Sequence, residues 1–91
     1  MVKVKYGEPY RTSFRESEDK FKAGTLEGVV EKIEEKYKGK DFVETIRIYS
    51  MILYNNRFIS KIEKDGNYVY DLSMKLKKDD ELLFMMLVGG G

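Results

Sequence analysis

Neither cysteine nor histidine occurs anywhere in the 91 residues. Disulfides, cysteine- or histidine-bound zinc, thiol nucleophiles and the side chain most used for proton transfer near neutral pH are all excluded. A charge surplus is missing as well, because 17 basic residues face 16 acidic ones and leave +1. Nucleic acid and anionic membranes normally demand a basic surplus, so neither is an expected partner. No apolar run approaches the length of a membrane span, and the alternation of Val2 and Val4 with Lys3 and Lys5 is not that of a signal peptide. A cytoplasmic location is the expectation. The phosphate-cradling pattern GxxxxGK followed by Ser or Thr is also absent, so any ATP chemistry belongs to a partner.

What is present describes one small globular domain. The hydrophobic fraction is 42%, with seven Tyr and five Phe, enough for a single core. Val2, Val4 and Tyr6 alternate with lysines as a strand with one buried face, ended by Gly7 and Pro9. Residues Tyr10 to Ser17 read as a loop, and Lys20 to Ala23 as a short strand with Phe21 inward. Leu26, Val29, Val30, Ile33 and Tyr37 recur at spacings of three and four, the stripe of an amphipathic helix. Thr25 suits its N-cap and Gly39 its stop. Thr45 to Tyr54 reads as a long strand broken at Asn55 and Asn56. Asp65 and Gly66 join Phe58–Ile62 to Asn67–Tyr70 as a hairpin. Leu82 to Val88 is an uninterrupted apolar run of strand type. The order predicts an α+β fold, a mixed sheet with one main helix packed on one face. One helix covers one face only, so a final strand apolar on both sides implies a second cover from another molecule.

Several clusters have a chemical and a plainer reading. Asp79, Asp80 and Glu81 suit a hard cation by type but lack the spacing of a calcium loop, so a solvated turn is the better expectation and no metal site is assigned. Tyr68 and Tyr70 with Lys61 and Lys64 resemble a single-strand nucleic-acid surface, yet the balanced charge favours tyrosines packed on one face of the hairpin. Arg47 and Arg57 are read as surface residues open to a partner's acidic groups.

The last residues carry the strongest signal. Gly89, Gly90 and Gly91 follow the apolar run directly. At an average glycine usage of about 7%, three in a row at one chosen place arise by chance roughly three times in ten thousand. Expression linkers give glycine ends too, but usually mixed with serine. The expected division is a domain over 1–88 and a flexible tail over 89–91 that reaches about 10 Å. Without side chains such a tail threads a narrow channel. Its carboxylate, with a pKa near 3.5, is a poor electrophile until activated, most simply as a mixed anhydride with AMP made by a partner.

Three stretches together resemble the MoaD/ThiS family of ubiquitin-like β-grasp sulfur carriers. They are the strand Val2 to Tyr6 with the helix Thr25 to Tyr37, the segment ILYNNRFI over 52–59, and LKKDDELLFMMLVGGG over 76–91. Asn56 stands at the glycine of the family's Asn-Gly turn, and Met86 and Leu87 stand where the molybdopterin synthase small subunit carries a Pro-Pro pair. The resemblance implies a non-catalytic carrier with no bound cofactor. Gly91 would be adenylated by an activating enzyme that uses ATP and converted to a thiocarboxylate, while Gly89 and Gly90 thread the partner's active site. It implies that Leu83, Met85 and Leu87 face away from the helix toward the activating enzyme and the large subunit of molybdopterin synthase, with Leu82 and Phe84 in the core. The plainer alternative covers Met85 and Leu87 with the chain's own segment 10–17. Molybdopterin biosynthesis is the pathway it favours; a thiamin-pathway carrier, a protein modifier joined to lysines, or an interaction module that never uses its tail are the other readings.

Overall fold

Alternation in the first strand sets up the whole arrangement. In the computed structural model, which describes residues 1–87, Val2, Val4 and Tyr6 are buried while Lys3 and Lys5 are not. This strand, β1 (Val2–Tyr6), pairs antiparallel with β2 (Glu18–Phe21) and parallel with β7 (Glu81–Met85). β7 in turn pairs antiparallel with β3 (Met51–Tyr54), and β3 with β4 (Arg57–Phe58), giving the order β2-β1-β7-β3-β4. The first and last strands lie side by side and parallel beneath one main helix, α2 (Leu26–Lys36). This is the expected α+β, β-grasp arrangement.

α2 forms where the stripe predicts it. Leu26, Val29, Val30 and Ile33 are fully buried, and Tyr37 nearly so. The Thr25 hydroxyl accepts a hydrogen bond from the Gly28 amide at 3.1 Å, the geometry of an N-cap. Two further free amides of the first turn, Leu26 N and Glu27 N, donate to the carbonyls of Met74 and Leu72. Segment 72–76 is thereby stitched to the helix start. Beyond the helix Gly39 adopts φ +85°, the left-handed conformation that suits a stop.

Three sequence expectations are corrected. Residues Tyr10–Phe14 form a short helix, α1, in place of a loop, because Tyr10 and Phe14 one turn apart both enter the core. Phe14 stacks on Tyr37 with ring centres 4.1 Å apart. The second strand lies two residues earlier than predicted, and Phe21 is its last residue, half-buried against the core. The long strand over 45–54 exists only from Met51. Before it the chain turns through a 3-10 segment, Val43–Thr45, and further turn bonds to Tyr49. Ile46 is fully buried while Ile48 and Tyr49 are exposed, a division that a strand of period two does not produce.

Both turn signals hold. Asn55 and Asn56 take φ of 49° and 65° between β3 and β4, and Asp65 and Gly66 take 52° and 82°. Two consecutive left-handed residues match the twist of tight hairpins. The second hairpin is smaller than predicted: β5 (Ile62–Lys64) and β6 (Asn67–Val69) form a two-stranded sheet of their own, separated from β4 by 59–61. No described helix is long and apolar enough to cross a membrane.

Candidate functional site

β7 is the central element of the site, since it leads to the glycine end. Leu82 and Phe84 are fully buried beneath α2, as expected. Leu83 and Met85 alternate with them and are half-buried on the opposite side of the sheet. Leu87 is 72% exposed. Val88 and the three glycines lie outside the described residues, as do the roles assigned to Gly89, Gly90 and Gly91.

Strand register assembles the rest of this uncovered face. Cross-strand partners share a face, so pairing places Lys5, Leu83, Leu53 and Phe58 in one row. Met85 and Met51 form the next row. Lys3 and Glu81 form the row on the other side, and Glu81 also receives Lys5 Nζ at 3.3 Å. The apolar centre thus lies at the end of β7 nearest the glycines, with a basic margin on β1. Phe58, 73% exposed at the sheet edge, is its most prominent side chain. Met51, Leu53 and Phe58 were missed in the sequence reading. A strand pairing drawn across Asn55 and Asn56 would have found Leu53 and Phe58.

The alternative cover for this face is not what the chain builds. Tyr10 and Phe14 turn into the core on the α2 side, where the Tyr10 hydroxyl shares hydrogen bonds with Thr45 Oγ1 at 2.9 Å and Ser50 Oγ at 2.8 Å. Met86 sits on that side too, its sulfur 3.3 Å from Thr45 Oγ1. The backbone of Gly7 lies close to Met85.

The acidic turn beside β7 is a lock. Asp80 is buried, not solvated, and its carboxylate accepts from Tyr54 Oη at 2.7 Å, Lys77 N at 2.7 Å and Asn55 Nδ2 at 3.3 Å. Burial opposes its ionisation, but these bonds outweigh it and hold the carboxyl below its usual range. Asp79 takes φ 70° to close the turn. No group of three metal-capable side chains occurs among the described residues.

Other singled-out residues separate. Arg47 is not a free surface charge: it reaches both oxygens of Glu27 at 2.7 and 2.9 Å and Glu34 at 2.8 Å, fastening the 43–49 turn to α2. Its hydrogen bonds to those carboxylates raise its already high pKa further. Arg57 stays exposed. Tyr68 and Tyr70 do not share one environment, being 70% and 9% exposed. The Tyr70 hydroxyl instead accepts from Ile52 N at 3.0 Å, covering β3 where β4 has ended.

What this arrangement leaves open is an apolar sheet face. Its buried carboxylates, Asp19 and Asp80, are taken up by tyrosine and backbone donors that hold the fold together.

No protein-family model matches the sequence, and no curated protein does. Solved structures do match. A chain of the protein–protein complex of subunits 1 and 2 of molybdopterin-converting factor from Helicobacter pylori 26695 aligns with a TM-score of 0.64 at 22% identity, over 99% of this chain and 97% of that one. A chain of the Amycolatopsis orientalis BexX/CysO complex aligns with a TM-score of 0.70 at 19% identity, over the full length of both. Likeness at these identities establishes the shared ubiquitin-like β-grasp fold.

Proposed function

We propose that this chain is a sulfur carrier that works through its C-terminal glycine in trans with enzymes it docks against. The carboxylate of Gly91 is adenylated by an activating partner at the expense of ATP, and a sulfur nucleophile displaces AMP to leave a thiocarboxylate. Gly89 and Gly90 pass through the partner's channel, where the lack of side chains permits close approach. The chain itself is not an enzyme.

One observation carries this reading: the strand that leads to the glycines presents Leu83 and Met85 on a sheet face that neither helix covers. An uncovered apolar face beside a glycine end is what a carrier needs in order to hand that end to a partner. Met51, Leu53, Phe58 and Leu87 extend the surface, and adaptable methionines suit successive partners. The two structures described above are complexes with a second protein, which agrees with a docking role. The name molybdopterin-converting factor on one of them favours the molybdopterin pathway, with that factor's other subunit as a further partner. Met86 and Leu87 in place of the family's prolines speak for a relative outside its most typical members. A cytoplasmic location accords with such a role.

The test is intact-mass measurement on protein purified from its native cell, or after incubation with the activating enzyme, ATP and a sulfur donor. Replacing oxygen by sulfur adds roughly 16 Da at the activated terminus. A variant lacking Gly90 and Gly91 should fold and never show the shift. Persistence of sulfur transfer in that variant would end the proposal, and lysine adducts through Gly91 would indicate a protein modifier instead.

A further inference from the structure

Past the last residue of β7 the chain is still held, and the hold is at Met86. Its side chain is half-buried and packs against the core, on the side taken by Leu82 and Phe84, whereas Leu87 is 72% exposed. Its backbone is held as well. Gly7 N donates to the Phe84 carbonyl at 2.8 Å and Met86 N to the Glu8 carbonyl at 3.1 Å, so contact with the chain after β1 continues beyond Met85. Among the described residues, no backbone hydrogen bond holds Leu87 in the same way.

A line of hydroxyls marks the seat of the Met86 side chain. Ser50 Oγ, Tyr10 Oη and Thr45 Oγ1 are linked at 2.8 and 2.9 Å, and Thr45 Oγ1 donates to the Phe42 carbonyl at 2.7 Å. The Met86 sulfur lies 3.3 Å from the same Thr45 oxygen. Thr45 has one proton to give and the carbonyl is the stronger acceptor, so the sulfur gains little from it. Packing is what holds the side chain.

Distance along the chain makes this seat a ruler. Residues 87–91 separate Met86 from the terminal carboxylate, and five residues span at most about 17 Å. If Met86 lets go, Met85 is still paired with Met51, and the length to the carboxylate grows by one residue to about 21 Å. The longer reach dilutes the end by less than about twofold, since dilution follows the −3/2 power of length. Ordering the backbone of one more residue costs more, about tenfold in the population of a threaded end.

We propose that Met86 is a positioning residue, which fixes the point from which the glycine end is presented so that a partner docked on Leu83 and Met85 meets Gly91 at a set distance. The proposal rests on the sulfur-carrier reading. In the step it serves, a carboxylate oxygen of Gly91 attacks the α-phosphorus of ATP, and the bond to pyrophosphate breaks as the acyl-adenylate forms. Met86 touches none of these atoms and acts through the strand.

Single-turnover adenylation, with the activating enzyme and ATP in excess over the chain, tests it. Met86→Ala should lower the rate at saturating enzyme about tenfold and move the half-saturating enzyme concentration by less than about twofold, because the docking face stays intact. Met86→Leu conserves volume and should restore the rate. Leu72→Ala, which removes packing from the core elsewhere, should destabilise the chain and leave the saturated rate unchanged. On the chain alone, Met86→Ala should reduce hydrogen-exchange protection of the amide at 86 about tenfold while Leu82 and Leu83 keep theirs. Equal saturated rates for Met86→Ala and the parent overturn the proposal and leave the carrier reading in place. So does a rate that Met86→Leu fails to restore, or an equal loss in Leu72→Ala. A parent that forms no adenylate overturns the carrier reading and this inference with it.

Discussion

Gly7 lies so close to Met85 that a Cβ on Gly7 would stand 2.9 Å from the Met85 Cβ. The Gly7 amide donates to the Phe84 carbonyl at 2.8 Å, which fixes this approach. The missing side chain therefore sets where Met85 sits on the uncovered face. Gly7→Val should cost about 1–3 kcal/mol by overpacking, read as a lower denaturant midpoint, and it should displace Met85 from its position. Unchanged stability would show that β7 yields freely at this point.

Phe58 reaches out from the edge of the same face and packs on little within the chain. Phe58→Ser should change folding stability by less than about 1 kcal/mol. If the face is the docking surface, calorimetry with the activating partner should show a loss of about 2 kcal/mol or more in binding. Equal affinity of variant and parent would remove Phe58 from the interface.

Asp19 ties three elements together. It accepts from Tyr6 Oη at 2.8 Å, from Tyr37 Oη and from Lys36 Nζ, so β1, β2 and the end of α2 meet at one carboxylate. Burial works against its charge, yet the hydrogen bonds from Lys36, Tyr37 and Tyr6 prevail and lower its pKa. A carboxyl depressed in the folded state contributes stability above its unfolded pKa, near 4, that is lost as pH falls through the folded value. The two phenols behave oppositely. Burial, and then the bond to Asp19, raise both above 10, so their contribution is present below pH 10 and lost at higher pH. Asp19→Asn should cost about 1–3 kcal/mol at neutral pH and flatten the acid limb of the stability profile. An unaltered acid limb would mean that another carboxyl governs it.

Arg47 replaces a strand with a clasp. Its two-sided contact with Glu27 and Glu34 holds the 43–49 turn against α2 while all three side chains remain partly exposed. Arg47→Gln should therefore cost only about 1 kcal/mol, with a difference from the parent that shrinks at high salt. Hydrogen exchange should quicken at residues 45–49 before anywhere in β7. A uniform change across the chain would count against a local clasp.

The elements that were legible in the sequence share one trait: their pattern is local. The stripe from Leu26 to Tyr37 needs only the 3.6-residue period, and Asn55–Asn56 and Asp65–Gly66 need only their tolerance of positive φ. The segment 45–50 misled because Thr, Ile, Arg and Tyr suit a strand by type. A buried Ile46 and the reach of Arg47 to α2 outweighed that preference. Tyr10 and Phe14 were likewise invisible, since two aromatic residues four apart are too few to set a helical period; the stack on Tyr37 decided them.

By itself the sequence determined the main helix and the two tight turns, consequences of side-chain period and backbone preference, and the glycine end, while the alternation of Leu82 and Phe84 with Leu83 and Met85 followed from the family resemblance. Only the tertiary structure decided that Met51, Leu53 and Phe58 join Leu83 and Met85 on one face, that Asp80 and Asp19 are buried locks, and that a two-stranded ribbon stands apart beside Ile48 and Tyr49. These are relations between residues far apart in the chain. They follow from strand register and from the need to pair buried polar groups, and neither is written in any single stretch of sequence.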